Sequence, residues 1–162
     1  MARHTFFSFH YERDVWRASQ VKNSWITQDR KAAGFWNSVE WEEVQRNGDY
    51  AIKKWIRDQI KGTSVTVVLI GAQTSNRDYV KYELQHSNEV GNGILGIYIH
   101  QKKDSNGYTD VKGDNHFGQI FKDKYGNDRY FYELYKTYDW VDNDGYNNMG
   151  KWIEEAARNA GR

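Results

Sequence analysis

The chain has 162 residues, the usual size of one domain, and we expect a single domain over residues 1–162. The formal net charge is only +1, so no overall field favours nucleic acid or an anionic membrane surface as a partner. The absence of cysteine excludes disulfides, thiolate zinc sites and a cysteine nucleophile, and it fits a reducing compartment.

The first residues predict a strand, a helix and a second strand. Thr5–Phe9 is a short run of β-branched and aromatic residues, which is typical of a central strand. We expect a helix over about Asp14–Asn23 and a short strand over Ser24–Thr27. The apolar run at the N-terminus is too short for a signal peptide, so we expect a cytoplasmic protein.

A long segment without a regular period precedes the clearest helix. Gln28–Gly48 carries aromatic residues beside glutamates, and we expect a functional loop there. Asp49 is then a good N-cap, and Gly62 supplies a left-handed stop. The helix between them has four apolar residues on one face: Ile52, Trp55, Ile56 and Ile60.

The middle of the chain predicts a βαβ unit. Ser64–Ile70 is an apolar strand of the type that is buried on both faces, and it is followed by a helix over about Asn76–Val90 and a strand over Ile94–Ile99. These apolar runs are far shorter than the roughly 20 residues that cross a bilayer. Right-handed crossovers then predict an α/β, flavodoxin-like fold with a central, mostly parallel five-stranded sheet and helices on both faces.

The last third of the chain begins with an irregular segment. His100–Asp128 is polar and punctuated by glycines, and its length predicts a lid-like insertion. A final strand is expected within Tyr132–Trp140. An amphipathic helix from about Met149 to Ala160 ends the domain.

Ligands of open α/β sheets bind beyond the carboxyl ends of the strands, which directs attention to Phe9, His10 and the segment after Ile70. Ser75 has Asp78 three positions later, a pattern that resembles a capping box. Ser75 and Asn76 would then present free helix N–H groups to an anion such as a pyrophosphate. The alternative is that Ser75 is an ordinary N-cap without a ligand.

Glu83 is the most informative residue of the following helix. At about 100° per residue, it falls between Tyr79 and Val80 on the apolar face of the helical wheel. A buried carboxylate is costly unless it is paired, so an acid in this position is a functional candidate. The alternative is an ion pair with Arg13, Arg17 or another cation at the helix edge.

Several segments of the chain resemble the Toll/interleukin-1 receptor (TIR) family. Phe6–Phe9 followed by Asp14 is similar to the first strand and turn of TIR domains. Thr63–Ile70 with Ser75 and Tyr82-Glu83-Leu84 is similar to their third strand and to the helix that carries the glutamate of NAD-cleaving members. Taken in order, three segments most closely resemble the TIR-like Thoeris B proteins of bacterial antiphage defence: Phe6–His10, Val21–Trp25 and Asp139–Ile153.

The resemblance implies an enzyme that cleaves NAD during phage infection and cyclises ADP-ribose into an isomer of cyclic ADP-ribose. That product diffuses to a separate Thoeris A effector and activates it. NAD is the substrate, and no cofactor is implied. Glu83 takes the catalytic role, and further candidate substrate contacts are Ser8, Phe9, His10, Ser75, Asn76 and Tyr79. Phe9, Trp41 or Tyr79 could stack on a ring of the dinucleotide, and the alternative is that each is a core or rim aromatic.

The family also leaves a second function open, a non-catalytic TIR-like adaptor that acts by protein assembly. The inward Glu83 favours the enzyme, whereas the aromatic and acidic stretch from Trp36 to Glu43 would suit an adaptor. Many TIR enzymes work only as oligomers, so the resemblance implies a homo-oligomer on activation. The phage trigger is not readable from the sequence.

Other motifs favour no further chemistry. Gly91–Gly96 matches GxGxxG but precedes a strand, which is the wrong context for dinucleotide binding. No P-loop is present, and Asp104–Gly107 lacks the later ligands of an EF-hand. The five histidines show no tight ligand spacing, so we expect no metal site.

Overall fold

The computed structural model describes residues 4–26, 31–34 and 38–162. Seven strands are present in this part of the chain: β1 (His4–Ser8), β2 (Lys31–Ala33), β3 (Val65–Ile70), β4 (Gly93–Tyr98), β5 (Gln119–Lys122), β6 (Asp128–Tyr130) and β7 (Thr137–Asp139). Five of them form a sheet in the order β2-β1-β3-β4-β7, in which every pair is parallel. This sheet confirms the predicted flavodoxin-like α/β fold.

Helices lie on both faces of the sheet. They are α1 (Tyr11–Ile26), α2 (Ser38–Arg46), α3 (Gly48–Ile60), α4 (Asp78–Glu89), the short α5 (Phe131–Leu134) and α6 (Gly145–Asn159). Within the described ranges, no helix is both long enough and apolar enough to cross a membrane.

Alternating side chains of the buried strand β3 divide the core in two. Val65, Val67 and Leu69 pack with apolar residues of α1 and α6 on one face. Val68 and Ile70 pack on the other face with Val80 and Leu84 of α4. This alternation is the ordinary two-residue period of a strand. In β1 it directs Phe7 to the first face and Phe6 to the second.

The second strand was predicted in the wrong place. Residues 24–26 belong to α1, and the strand that pairs with β1 is Lys31–Ala33. Val21 and Trp25 are both buried and stand four positions apart, so they extend the inner stripe of α1 by another turn. This burial outweighs the local β-propensity of Trp25 and Ile26.

The expected loop over Gln28–Gly48 contains a strand and a helix, so that prediction is wrong for Lys31–Ala33 and Ser38–Arg46. The aromatic residues Phe35 and Trp36 lie outside the described residues. Val44 of α2 packs against the apolar face of α3, which anchors the short helix. The glutamates that obscure the helical period are exposed at positions 42 and 43.

The helix α3 is confirmed, together with its buried face of Ile52, Trp55, Ile56 and Ile60. It begins at Gly48 with Asn47 at the N-cap, so the assignment of Asp49 as the cap is wrong. Asp49 lies in the first turn instead, where a negative charge favours the helix dipole. Gly62 has φ +85°, which confirms the left-handed stop.

The insertion over His100–Asp128 is anchored to the rest of the domain at two places. The guanidinium of Arg17 on α1 donates to the carbonyl oxygens of Lys102 and Tyr108, at 2.8 and 2.9 Å. Further along, Phe117 and Ile120 are buried in the α4 side of the core. The strand β5 lies in the second half of the segment and pairs antiparallel with β6, which begins at the last residue of the segment, Asp128. The insertion therefore contributes to the core as well as to the surface.

Candidate active site

Glu83 lies on the inward face of α4, where Val80, Leu84 and Ser87 are also buried. The residue is only 9% exposed, which confirms the orientation expected from the helical wheel. Its Oε2 atom has no hydrogen-bond partner among the residues that the structure describes. The nearby Ser8 ends β1, so the carboxyl group stands at the carboxyl edge of the sheet.

Burial raises the pKa of Glu83 to about 8. The hydroxyl group of Ser8 acts in the opposite direction, because a nearby donor stabilises the carboxylate. Ser8 Oγ and Glu83 Oε2 nevertheless form no well-aligned hydrogen bond with any described residue. Both buried oxygens therefore retain hydrogen-bonding capacity, which is uncommon in a protein interior and typical of a site that accepts a ligand.

The alternative that Glu83 forms an ion pair with Arg13 or Arg17 is wrong. Arg13 contacts Asp110 at 2.6 Å, and Arg17 lies 3.6 Å from Asp14. Over the described ranges, no cation pairs with Glu83. The carboxyl group of Glu83 is therefore buried without a positive charge to neutralise it.

A small cavity opens beside Glu83. Its volume is about 30 Å³, which is enough for one or two water molecules but not for a dinucleotide. Two larger cavities, about 380 and 550 Å³, lie elsewhere, near the start of β4 and the edge strand β7 and beside the start of β3. Those cavities do not include Glu83. The small cavity is lined by Phe9, Tyr11, Ile52, Ile56, Arg77, Tyr79, Val80 and Glu83.

Ser8 and Phe9 both reach the site. Ser8 is fully buried and faces the carboxyl group of Glu83. Phe9 is 7% exposed and lines the cavity, with its ring centroid 6.2 Å from that of Tyr11. The ring of Phe9 also belongs to the core on the α1 side. Both residues therefore lie beside Glu83 at the carboxyl end of β1, and their contact with a substrate stays a prediction.

His10 has a structural task at the start of α1. Its Nδ1 atom accepts a hydrogen bond from the backbone N–H of Arg13 at 3.3 Å, which satisfies a free donor of the first helical turn. Burial lowers the pKa of His10, and the charge of Arg77 lowers it further. His10 does not line the Glu83 cavity. A neutral imidazole with Nδ1 as acceptor follows from these observations.

The expected capping box of Ser75 is absent. Thr74–Asn76 form a single 3₁₀ turn, and α4 begins three residues after Ser75 with Arg77 at its N-cap position. The hydroxyl group that closes this turn belongs to buried Thr74, whose Oγ1 accepts the N–H of Gly71 at 2.8 Å. Ser75 and Asn76 do not line the Glu83 cavity. A tight turn after β3 delays the helix start.

Tyr79 forms the outer wall of the cavity. Its hydroxyl donates to Asp49 Oδ1 at 2.9 Å, which links α4 to the first turn of α3. Arg77 lines the cavity as well, a residue that the sequence analysis did not single out. The side chain of Trp41 lies outside the described part, so its role in ring stacking stays a prediction.

A second buried carboxylate, that of Asp14, was also missed by the sequence analysis. Asp14 is fully buried, and a Cβ atom added to Gly71 would stand only 2.1 Å from Asp14 Oδ2. Burial raises the pKa of Asp14 to about 6, while Arg17 and then Arg13 act against that rise. Acidic residues in the first turn of a helix are ordinary, so nothing in the sequence marked Asp14 as buried.

Comparisons with known proteins identify the family of this chain. Residues 6–104 match the family model of the Thoeris protein ThsB, TIR-like domain. Over 193 aligned positions the chain is 36% identical to "Putative cyclic ADP-D-ribose synthase ThsB1" of Bacillus cereus (strain MSX-D12), and the alignment covers 94% of this chain and 100% of that protein. The matched family segment contains the end of β1 together with β3, α4 and Glu83. The chain belongs to the ThsB family of TIR-like Thoeris proteins.

Proposed function

We propose that this protein is a TIR-like enzyme of antiphage defence that cleaves NAD and cyclises the ADP-ribose into a signalling nucleotide. The similar protein from Bacillus cereus is named for cyclic ADP-D-ribose synthesis. The observation that carries the proposal is the buried, incompletely bonded carboxyl group of Glu83, which lines a cavity at the carboxyl edge of the sheet. Open α/β sheets bind their ligands at this edge.

The reaction breaks the bond between the nicotinamide nitrogen and C1′ of its ribose. Nicotinamide leaves with the bonding electron pair as a neutral molecule, and positive charge develops on C1′ and the ring oxygen. The ionised carboxylate of Glu83 stabilises that charge, as carboxylates do in glycoside hydrolysis. A nucleophilic atom of the same ADP-ribose then attacks C1′ and closes the ring, and one proton is released overall.

The raised pKa of Glu83 fits a mechanism in which binding of the substrate causes this residue to ionise. Its raised pKa leaves the carboxyl group largely protonated at neutral pH when the cavity holds no ligand. The positive nicotinamide ring of NAD favours the ionised form once it lies beside the acid. Because no electron transfer occurs, the proposed reaction requires no redox cofactor.

The proposed cyclic product acts as a signal to a second protein. A cyclic nucleotide that diffuses away would activate a separate Thoeris A effector, and phage infection would supply the trigger. The cavity of about 30 Å³ is too small for NAD, so the outer wall has to move before the substrate enters. We propose that assembly of several copies, as in other TIR enzymes, accompanies this opening.

The test compares wild type with Glu83→Gln, which keeps the side-chain shape but cannot ionise. Purified protein, and extracts of phage-infected cells that express it, are incubated with NAD, and nicotinamide and ADP-ribose products are separated by chromatography. We expect nicotinamide and a cyclic product from wild type and a loss of at least about 100-fold from the variant. Glu89→Gln is the matched control, because Glu89 stands on the same helix and its side chain is 70% exposed.

Equal product formation by wild type and Glu83→Gln would remove the catalytic assignment. Absence of any NAD cleavage in infected extracts would favour the adaptor alternative, in which the same fold acts by recruiting partners.

A further inference from the structure

Arg77 occupies an unusual electrostatic position at the Glu83 cavity. It is half-buried and lines the cavity together with Glu83 and Tyr79. In the part of the chain that the structure describes, no carboxylate forms an ion pair with its guanidinium and no acceptor takes a hydrogen bond from it. An arginine with five unused donors at a cavity mouth is available to an incoming anion.

Neighbouring arginines contrast with Arg77, because each has a partner. Arg13 contacts Asp110, and Arg57 donates to the hydroxyl group of Tyr82 at 2.8 Å. Arg17 contacts the insertion and Asp14. Arg77 is therefore the cation beside the site whose charge these interactions leave uncompensated.

The start of α4 adds a second feature to the same place. Arg77 is the N-cap residue of this 12-residue helix, and no side chain caps the free N–H groups of the first turn. Uncapped N–H groups and the positive end of the helix dipole favour an anionic ligand. Independently, Glu83 is nine-tenths buried and has an unpartnered Oε2 atom in the same cavity.

The field of Arg77 reaches the site residues. Its charge helps to lower the pKa of His10, second only to burial. It also opposes the raised pKa of Tyr79, which burial and the hydrogen bond to Asp49 produce. The charge of Arg77 is therefore felt at both residues, although the carboxylates of Asp49 and Asp78 act against it at Tyr79.

We propose that Arg77, together with the uncapped start of α4, binds the diphosphate of the dinucleotide substrate. This inference rests on the proposed function and names a group that selects its substrate. Arg77 and Glu83 are six positions apart, less than two helical turns. In NAD one ribose separates the diphosphate from the bond that breaks, so a single substrate can contact both side chains.

The arrangement resolves an electrostatic conflict. A carboxylate beside C1′ repels the diphosphate of the same substrate, and a buried carboxylate feels this repulsion strongly. The guanidinium neutralises the diphosphate and can bind two of its oxygens at once. Arg77 thereby determines which substrates can approach Glu83: pyridine nucleotides with a diphosphate bind, whereas the nucleoside portion without phosphate gains nothing from this contact.

The test measures binding separately from cleavage. Titration calorimetry follows NAD, ADP-ribose and nicotinamide riboside binding to Glu83→Gln and to Glu83→Gln with Arg77→Gln. We expect Arg77→Gln to weaken NAD and ADP-ribose by at least about tenfold and to leave nicotinamide riboside within about twofold. Arg77→Lys keeps the charge but loses the bidentate geometry, so we expect an intermediate affinity. Arg158→Gln, an exposed arginine on α6, is the matched control for the change in net charge.

The outcomes separate this proposal from the proposed function. Equal affinity of the Arg77→Gln and parent proteins for ADP-ribose, or no binding by the parent, would overturn the role of Arg77. If wild type cleaves NAD but Arg77→Gln leaves KM unchanged, the diphosphate assignment fails while the enzyme stands. If ADP-ribose binding depends on Arg77 but nicotinamide is never released, the proposed reaction fails while the binding site stands. Circular dichroism and a melting curve verify that each variant is folded.

Discussion

The guanidinium of Arg17 lies 3.6 Å from the carboxylate of Asp14, and both side chains are almost completely buried. The same guanidinium donates to Lys102 and Tyr108 of the insertion, so one side chain joins the buried acid, α1 and the loop above it. Neither Asp14 oxygen has a well-formed hydrogen bond within the described residues. The acid therefore depends on the nearby positive charge and on the packing around it.

Arg17→Met tests this dependence, because methionine keeps much of the aliphatic stem but removes the charge. We expect a loss of unfolding free energy on the order of 3 kcal/mol, since removing one partner leaves a buried carboxylate unpaired. Urea denaturation at pH 7 measures the change. Arg46→Met is the control, because the Arg46–Glu42 pair is exposed and contributes little. Similar midpoints for the two variants would contradict the structural role of Arg17.

Gly71→Ala tests the close packing of Asp14 against β3. The added Cβ would lie 2.1 Å from Asp14 Oδ2, so the fully buried acid would have to shift. We expect a destabilisation of about 1–3 kcal/mol from overpacking. The same substitution in an Asp14→Ala background should cost clearly less, because the clashing oxygen is gone. An equal cost in both backgrounds, measured by denaturation, would show that the crowding lies elsewhere.

Glu83 should make the protein less stable at alkaline pH. Its folded-state pKa of about 8 is above the ordinary value of 4.5, so the folded state binds more protons than the unfolded state between these values. Stability therefore falls as the pH rises through this interval. Glu83→Gln removes the effect, and we expect it to gain on the order of a few kcal/mol over wild type at pH 9 but little at pH 5. Thermal melts at both pH values check this, with Glu89→Gln as control; parallel melting curves for wild type and Glu83→Gln would refute it.

The same ionisation should appear in the kinetics. If the ionised carboxylate of Glu83 is the active form, kcat/KM for NAD rises with pH and levels off above about pH 8, because this ratio reports the pKa of the free enzyme. Initial rates of nicotinamide release from pH 6 to 9 measure the profile. A rate that is flat over this range, in protein that stays folded, would exclude the ionisation of Glu83 from the rate-limiting chemistry.

The sequence predicted those features that depend on regular periods. The apolar run of β3 and the stripe of α3 each identify an element and its buried face. The position of Glu83 was predictable for the same reason, because an acid on the apolar side of α4 interrupts a regular pattern. A departure from a period is visible in sequence only when the period itself is clear.

Features that depend on contacts between distant segments were not predictable. Asp14 and Arg77 stand at helix starts, where charged residues are common, so their burial or lack of a partner has no local signature. The turn at Thr74 displaced the start of α4 from Ser75, because a side-chain hydrogen bond to Gly71 closes the backbone first. The second strand was misplaced because burial of Trp25 extends α1.

The hydrogen bond between Tyr79 and Asp49 is one that water can replace, so that the cavity can open. The Asp49 carboxylate is well exposed, so solvent competes for it continuously and the phenol ring is easily released. Access to Glu83 then depends on a weak hydrogen bond between α3 and α4 rather than on a change in the sheet. A neighbouring copy that captured either side chain would hold the entrance open without touching the reacting atoms.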